Sequence, residues 1–181
     1  LSNTVNAVND APVASGSATL TAIDEDTTNP SGATVSSLFS SNFSDSTDTV
    51  SGGSSANTLA GIAITSYTRD ATKGEWQYST NGSSWTTISS SISAASSSLT
   101  FKSTDYLRFL PAANWNGSAP TLTVALIDSS TTVTTNATVD VSTRGGTTAY
   151  SSSTVTLSNT VNAVNDAPVA SGSATLTAID E

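Results

Sequence analysis

Cysteine, histidine and methionine are all missing from this 181-residue chain, and only 10% of its residues carry charge. Without cysteine there is no disulfide framework and no thiolate-based metal or redox site. Without histidine, Ser-His-Asp and Cys-His nucleophile arrangements and His-ligated zinc are excluded. Positive charge is scarce as well. The five basic residues (Arg69, Lys73, Lys102, Arg108 and Arg144) are scattered against 14 acidic ones, for a net charge of −9. Nucleic-acid binding needs clustered Lys and Arg to displace counterions, so no nucleic-acid partner is expected. No apolar run approaches the roughly 18 residues of a membrane-spanning helix, so no membrane insertion is expected. The EF-hand loop pattern does not occur either, so any calcium site must be assembled from separate loops.

What is present is repetition. Leu1–Glu25 recurs letter for letter as Leu157–Glu181, an offset of 156 residues. Chance does not give such an identity, and the chain reads as one unit plus parts of its neighbours in a tandem array. A unit of that size can bury a real core. "NDAP" stands at Asn9–Pro12 and again at Asn165–Pro168. Proline fixes φ, lacks a ladder donor and biases its predecessor toward extended geometry, which suits a passage between domains. Residues 1–10 are therefore expected to be the last strand and linker of a preceding repeat. Residues 11–165 make one complete domain, and 166–181 are the linker and first strand of a following repeat. The partners implied are neighbouring repeats of the same chain. The partial repeats at either end are expected to be poorly held, with strand exchange between them in crystals.

Ser and Thr make up roughly a third of the residues, and apolar residues 36%. Segments Ser17–Ile23, Gly61–Tyr67, Glu75–Ser79, Trp85–Ile88, Tyr106–Leu110, Thr121–Ile127 and Thr154–Val164 are rich in β-branched and aromatic residues. Several alternate with period two. Asn81-Gly82, between Trp76/Tyr78 and Trp85, predicts a tight hairpin with positive φ angles. At least one Trp is expected in the core. "SGGSSANT" and "STRGGTTAYSSS" read as loops. No stretch of 10 to 12 residues shows a capped apolar stripe at helical spacing. The fold class expected is all-β, an antiparallel β-sandwich.

The acidic triplet Asp24, Glu25 and Asp26 carries the functional reading. It lies twelve residues beyond Pro12, and at about 3.3 Å per residue an extended run would span ~40 Å. That is the length of a sandwich domain, so the triplet should meet the chain where it leaves at Asn165-Asp166. Glu25 and Asp26 fit best as calcium ligands there, with Asp166 and the Asn165 oxygens as partners. Asp24 points away by alternation. Asp105 is a second-tier ligand, and Asp10 belongs to the other junction. A solvated acidic turn is the competing reading. Asp24, Glu25, Asp26, Asp105 and Asp128 could formally supply a paired-carboxylate glycosidase. The plainer reading of adjacent carboxylates on a β-module is calcium or solvent, and no enzyme is expected. A chain without disulfides must find its staples elsewhere, and excess carboxylate points to Ca2+ as the cofactor. Thr131–Thr138 could suggest an ice-binding face, and the Asn114–Gly117 loop a carbohydrate-binding module.

"AVNDAP", "IDEDTTNPSGATVSSLF", "GEWQYSTNGSSWTTI", "DYLRFLPAANWNG" and "GGTTAYSSST", in that order, resemble the cadherin-like, Ig-type repeats of giant bacterial RTX adhesins. The resemblance covers essentially the whole unit. It implies an extracellular extender at the bacterial cell surface, exported by a type I system and stiffened by calcium. Such a spacer projects a ligand-binding tip for attachment and biofilm formation. Cadherins place a Glu after the first strand in the same relation to the following linker. The glycine-rich nonapeptide GGxGxDxUx that names these adhesins does not occur here.

Overall fold

Period-two alternation drives most of this chain into short strands, because each strand can bury one row of side chains while Ser and Thr face water. The computed structural model describes residues 6–51 and 53–181, so part of the strand expected over the first residues lies outside the described region. In chain order the strands are β1 (Val13–Ala14), β2 (Ser17–Thr19), β3 (Ile23–Asp24), β4 (Ala33–Thr34), β5 (Phe43–Ser44), β6 (Leu59–Tyr67), β7 (Gly74–Ser79) and β8 (Thr86–Thr87). They continue with β9 (Ser98–Lys102), β10 (Tyr106–Pro111), β11 (Gly117–Ser118), β12 (Leu122–Asp128), β13 (Ala137–Val139), β14 (Tyr150–Ser158) and β15 (Thr160–Asn162). A five-residue helix, α1 (Val35–Phe39), lies between β4 and β5. Four sheets form among the described residues: β13-β9-β6-β12-β14-β2, β4-β10-β7-β8, β11-β15-β3 and β1-β5.

The pairing is mixed rather than wholly antiparallel. β2 runs parallel to β14 and β3 parallel to β15, while the other pairs are antiparallel. The first and last segments of the unit therefore travel side by side in one direction. The chain is taken in at one end of the long strands and leaves at the other. We call these ends the upstream and downstream poles.

One core joins the sheets. Ile62, Ile64, Phe101, Leu122, Val124 and Leu157 of the six-stranded sheet share it with Trp76, Leu107 and Phe109 of the four-stranded sheet. Trp76 is fully buried, its indole N–H donating to Pro120 O at 2.6 Å. A buried Trp needs such a partner for its one polar atom. Alternation sends Ala63 and Ile127 to the opposite face, into a smaller cluster with Val133, Val141 and Ala149. Helix α1 is brief but specified: Thr34 Oγ1 accepts from Ser37 N at 3.1 Å, and Val35 and Phe39, one turn apart, are both fully buried.

Several sequence expectations change in detail. Ser17–Ile23 is not one strand but β2 and β3, preceded by β1 and a turn at Gly16, whose φ is +73°. Thr154–Val164 is broken at Asn159, whose buried side chain donates to Leu20 and Thr21 carbonyls instead of continuing the ladder. Asn81-Gly82 lies in a longer loop between β7 and β8. Only Gly82 has positive φ, and Asn81 Oδ1 accepts the N–H groups of Ser83 and Ser84. The side-chain turn replaces the tight backbone turn. "YSSS", read as loop, is the start of β14. There the Ser151 hydroxyl accepts from Leu126 N at the bulge in the β12–β14 ladder. Within Thr131–Thr138 only Ala137–Thr138 is strand, so no flat threonine array forms there.

Candidate functional site: two acidic poles

At the downstream pole β3 delivers the acidic triplet beside the last strand. Asp24 pairs with Asn162 in register, is exposed, and accepts from Asn162 Nδ2 at 3.1 Å. Glu25 turns inward and is buried. Its N–H donates to Asn162 O at 2.9 Å, its Oε1 accepts from Val164 N at 2.6 Å, and its Oε2 accepts from Asn116 Nδ2 at 3.1 Å. Asp26 adopts positive φ (+63°) and its Oδ1 accepts from Asn114 N at 2.7 Å. The structure thus brings Glu25 against the residue just before Asn165. Asn165 and Asp166 themselves are exposed, and among the described residues they bond only to each other, through Asn165 Nδ2 and Asp166 O. The 114–116 loop is committed to Asp26 and Glu25, and Trp115 packs against Phe109 with ring centroids 6.2 Å apart.

Asp105 lies elsewhere, in the turn between β9 and β10. Its buried carboxylate accepts from Lys102 N at 2.8 Å and Thr135 Oγ1 at 2.6 Å. Those bonds tie a turn to a neighbouring loop, and Asp105 shares no hydrogen bond with either acidic pole.

The upstream pole holds a group of carboxylates of which sequence reasoning named only Asp128, and that as a formal glycosidase acid and not as a metal ligand. Asp128 ends β12 and is fully buried. Its Oδ1 accepts from Ser130 N at 2.8 Å, and its Oδ2 accepts from Asn9 Nδ2 at 3.3 Å. Asp48 is buried, its Oδ1 accepting from Asp10 N at 2.7 Å and its Oδ2 from Asn57 Nδ2 at 2.9 Å. Asp45 is 4% exposed. Its Oδ2 accepts from Asn57 N at 2.6 Å, while its Oδ1 is buried with no partner among the described residues. Asn9 Oδ1 and Asn57 Oδ1 add neutral oxygens, held by Asn57 Nδ2 and Ser129 Oγ. Asp10 contributes its backbone N–H to this network.

None of these carboxylates is in an ion pair among the described residues, where the ion pairs are Arg69–Glu75 and Lys73–Asp70. Burial, with the negative fields of Asp48 and Asp128 behind it, raises the Asp45 carboxyl above its ordinary value of 3.8. An unpartnered buried carboxylate oxygen is costly unless a proton or a cation reaches it. The donor set, all hard oxygens, suits calcium and not a soft metal. Among the described residues, however, no three acidic, His or Cys side chains converge closely enough to make a metal cluster alone. Neutral oxygens such as those of Asn9 and Asn57 would have to complete it.

Two signals could have exposed this pole. "DSTD" puts two acids three residues apart in a short loop, and Asp128 closes the otherwise apolar run "LTVALI". A charge ending a fully buried strand needs local partners.

The chain matches no protein-family model, no curated protein and no solved structure.

Proposed function

We propose that the chain is a calcium-stabilised structural extender: a β-sandwich unit of a tandem array in a large adhesin at a bacterial cell surface. It acts as a spacer for a binding tip and not as an enzyme. One observation carries this reading. Carboxylates gather at both poles, each gathering in hydrogen-bond contact with a copy of the same repeated segment. Near-identical repeats suit a part that supplies length and stiffness. The shared core between the six- and four-stranded sheets supports the sandwich description. At the upstream pole Asp45, Asp48 and Asp128, with oxygens of Asn9 and Asn57, would hold the ion. At the downstream pole Glu25, Asp26 and Asp24, with Asn165 and Asp166, remain the candidates. Calcium supplies positive charge there and takes six to eight oxygens, drawing loops together that otherwise repel.

Melting curves in millimolar calcium and in EDTA test it. A cation at ~100 times its dissociation constant adds about 2.7 kcal/mol per site, a rise of several degrees for a unit of this size. Identical curves would end the calcium reading. A carbohydrate-binding module is the rival, and saturable sub-millimolar glycan binding on an array would favour it instead.

A further inference from the structure

Asn-Ala-Val-Asn-Asp-Ala-Pro occurs twice, as residues 6–12 and as 162–168, and the two copies lie against opposite poles of the same unit. The first copy is engaged through its second half. Asn9 Nδ2 donates to Asp128 Oδ2 and, at 3.2 Å, to Thr148 O. Asp10 N donates to Asp48 Oδ1, Ala11 N donates to Gly146 O at 2.7 Å, and Pro12 is buried. The second copy is engaged through its first half. Asn162 O accepts from Glu25 N, and Val164 N donates to Glu25 Oε1. Its remaining residues, Asn165 to Pro168, are exposed. The two sets of contacts do not compete, because they use different atoms of the same seven residues.

We infer that Asn162–Pro168 is a two-sided splint whose second partner is a further copy of this unit. Val164 N stays on Glu25, while Asn165 and Asp166 take up on the following copy the partners that Asn9 and Asp10 have here. The inference rests on the tandem-repeat reading and deepens the proposed function, since it specifies the surface between consecutive units. The cleft beside the first copy already has the required form: Asn6, Ala7 and Val8 line it together with Thr47, Asp48 and Val50. So the tripeptide that would end one unit borders the same cleft as Thr47, Asp48 and Val50. The slack is small. The two carboxylate-bound amides, Val164 and Asp166, are two residues apart, about 7 Å even when fully extended. Glu25 and the next copy's Asp48 counterpart would thus anchor the poles with no free linker between them.

Amide exchange measured by NMR tests this. In the 181-residue chain the Val164 and Asp10 amides should exchange slowly and the Asp166 amide freely. In a tandem chain, with the sequence Asp26–Glu181 repeated once after Glu181, the Asp166 amide should slow by about ten-fold or more. Glu25→Ala, which removes the acceptor, should release Val164 but not Asp166, and Asp48→Ala placed in the second copy should release Asp166 but not Val164. An Asp166 amide that exchanges as freely in the tandem chain as in the single one overturns the inference, and this readout needs no variant to fold. Running both chains in calcium and in EDTA separates the two proposals. A calcium-dependent melting shift without Asp166 protection overturns the splint alone. Asp166 protection with no calcium response supports the splint and counts against the calcium reading.

Discussion

Asp45 is the residue at which burial and charge pull hardest against each other. Its carboxyl is pushed upward first by burial and then by Asp48 and Asp128, while the Asn57 amide pulls it back. For an acid raised in the folded state, the folded form binds its proton more tightly than the unfolded chain does. The stability this gives is full below the ordinary carboxylate value of 3.8 and is lost as pH climbs through the raised folded value. Without calcium, Asp45→Asn should therefore raise the melting temperature at pH 7 and flatten the pH dependence just above pH 4. With calcium the same change should shrink the metal-induced gain. Calorimetric scans of both proteins, with metal and with chelator, check the pair of signs. A variant that melts lower than the parent in EDTA would contradict this account of Asp45. Although the run from Pro12 is three short strands and not one, the place of Glu25 beside the exit strand was legible from its spacing to Pro12. Asp45, Asp48, Asn57 and Asp128 were not, because loops more than seventy residues apart converge there and no local period links them.

At the scale of elements, period-two patterns located β6, β7, β10 and β12 to within about two residues. They failed where hydrogen bonds to side chains replaced ladder bonds, as at Asn81, Ser151 and Asn159. They also passed over α1, since five residues leave no room for a helical stripe. Glycine separates ladder constraints from loop constraints. A Cβ at Gly61 would run into Phe101 O and the Lys102 backbone across the β6–β9 pair, atoms that cannot swing away. Gly146, with φ +60°, has no described residue near the place a Cβ would occupy. Gly61→Ala should cost roughly 1–3 kcal/mol through forced separation of the strands. Gly146→Ala should cost about 1–2 kcal/mol from left-handed backbone strain alone, leaving the neighbouring strands undisturbed. Urea unfolding gives both values, and shifts in the amide spectrum of β9 should accompany only the first.

For the whole molecule, the neighbouring, parallel placement of β2 with β14 and β3 with β15 has a mechanical meaning. A pull applied at the two poles draws the first strands one way and the last strands the other. The bonds between them lie across the load, so they must slide together and cannot peel one at a time. A hairpin pulled at its two adjacent ends would open rung by rung at low force. Held at its poles in an optical trap or a force microscope, this unit should break in one abrupt event. Leu20→Pro, which removes the N–H that donates to Ser158 O at 3.0 Å across the β2–β14 seam, should lower the rupture force more than Leu20→Ala, which keeps that N–H. In the proposed array, tension would be carried by the seam between each unit's beginning and its end, and that seam would set how hard the array could be pulled.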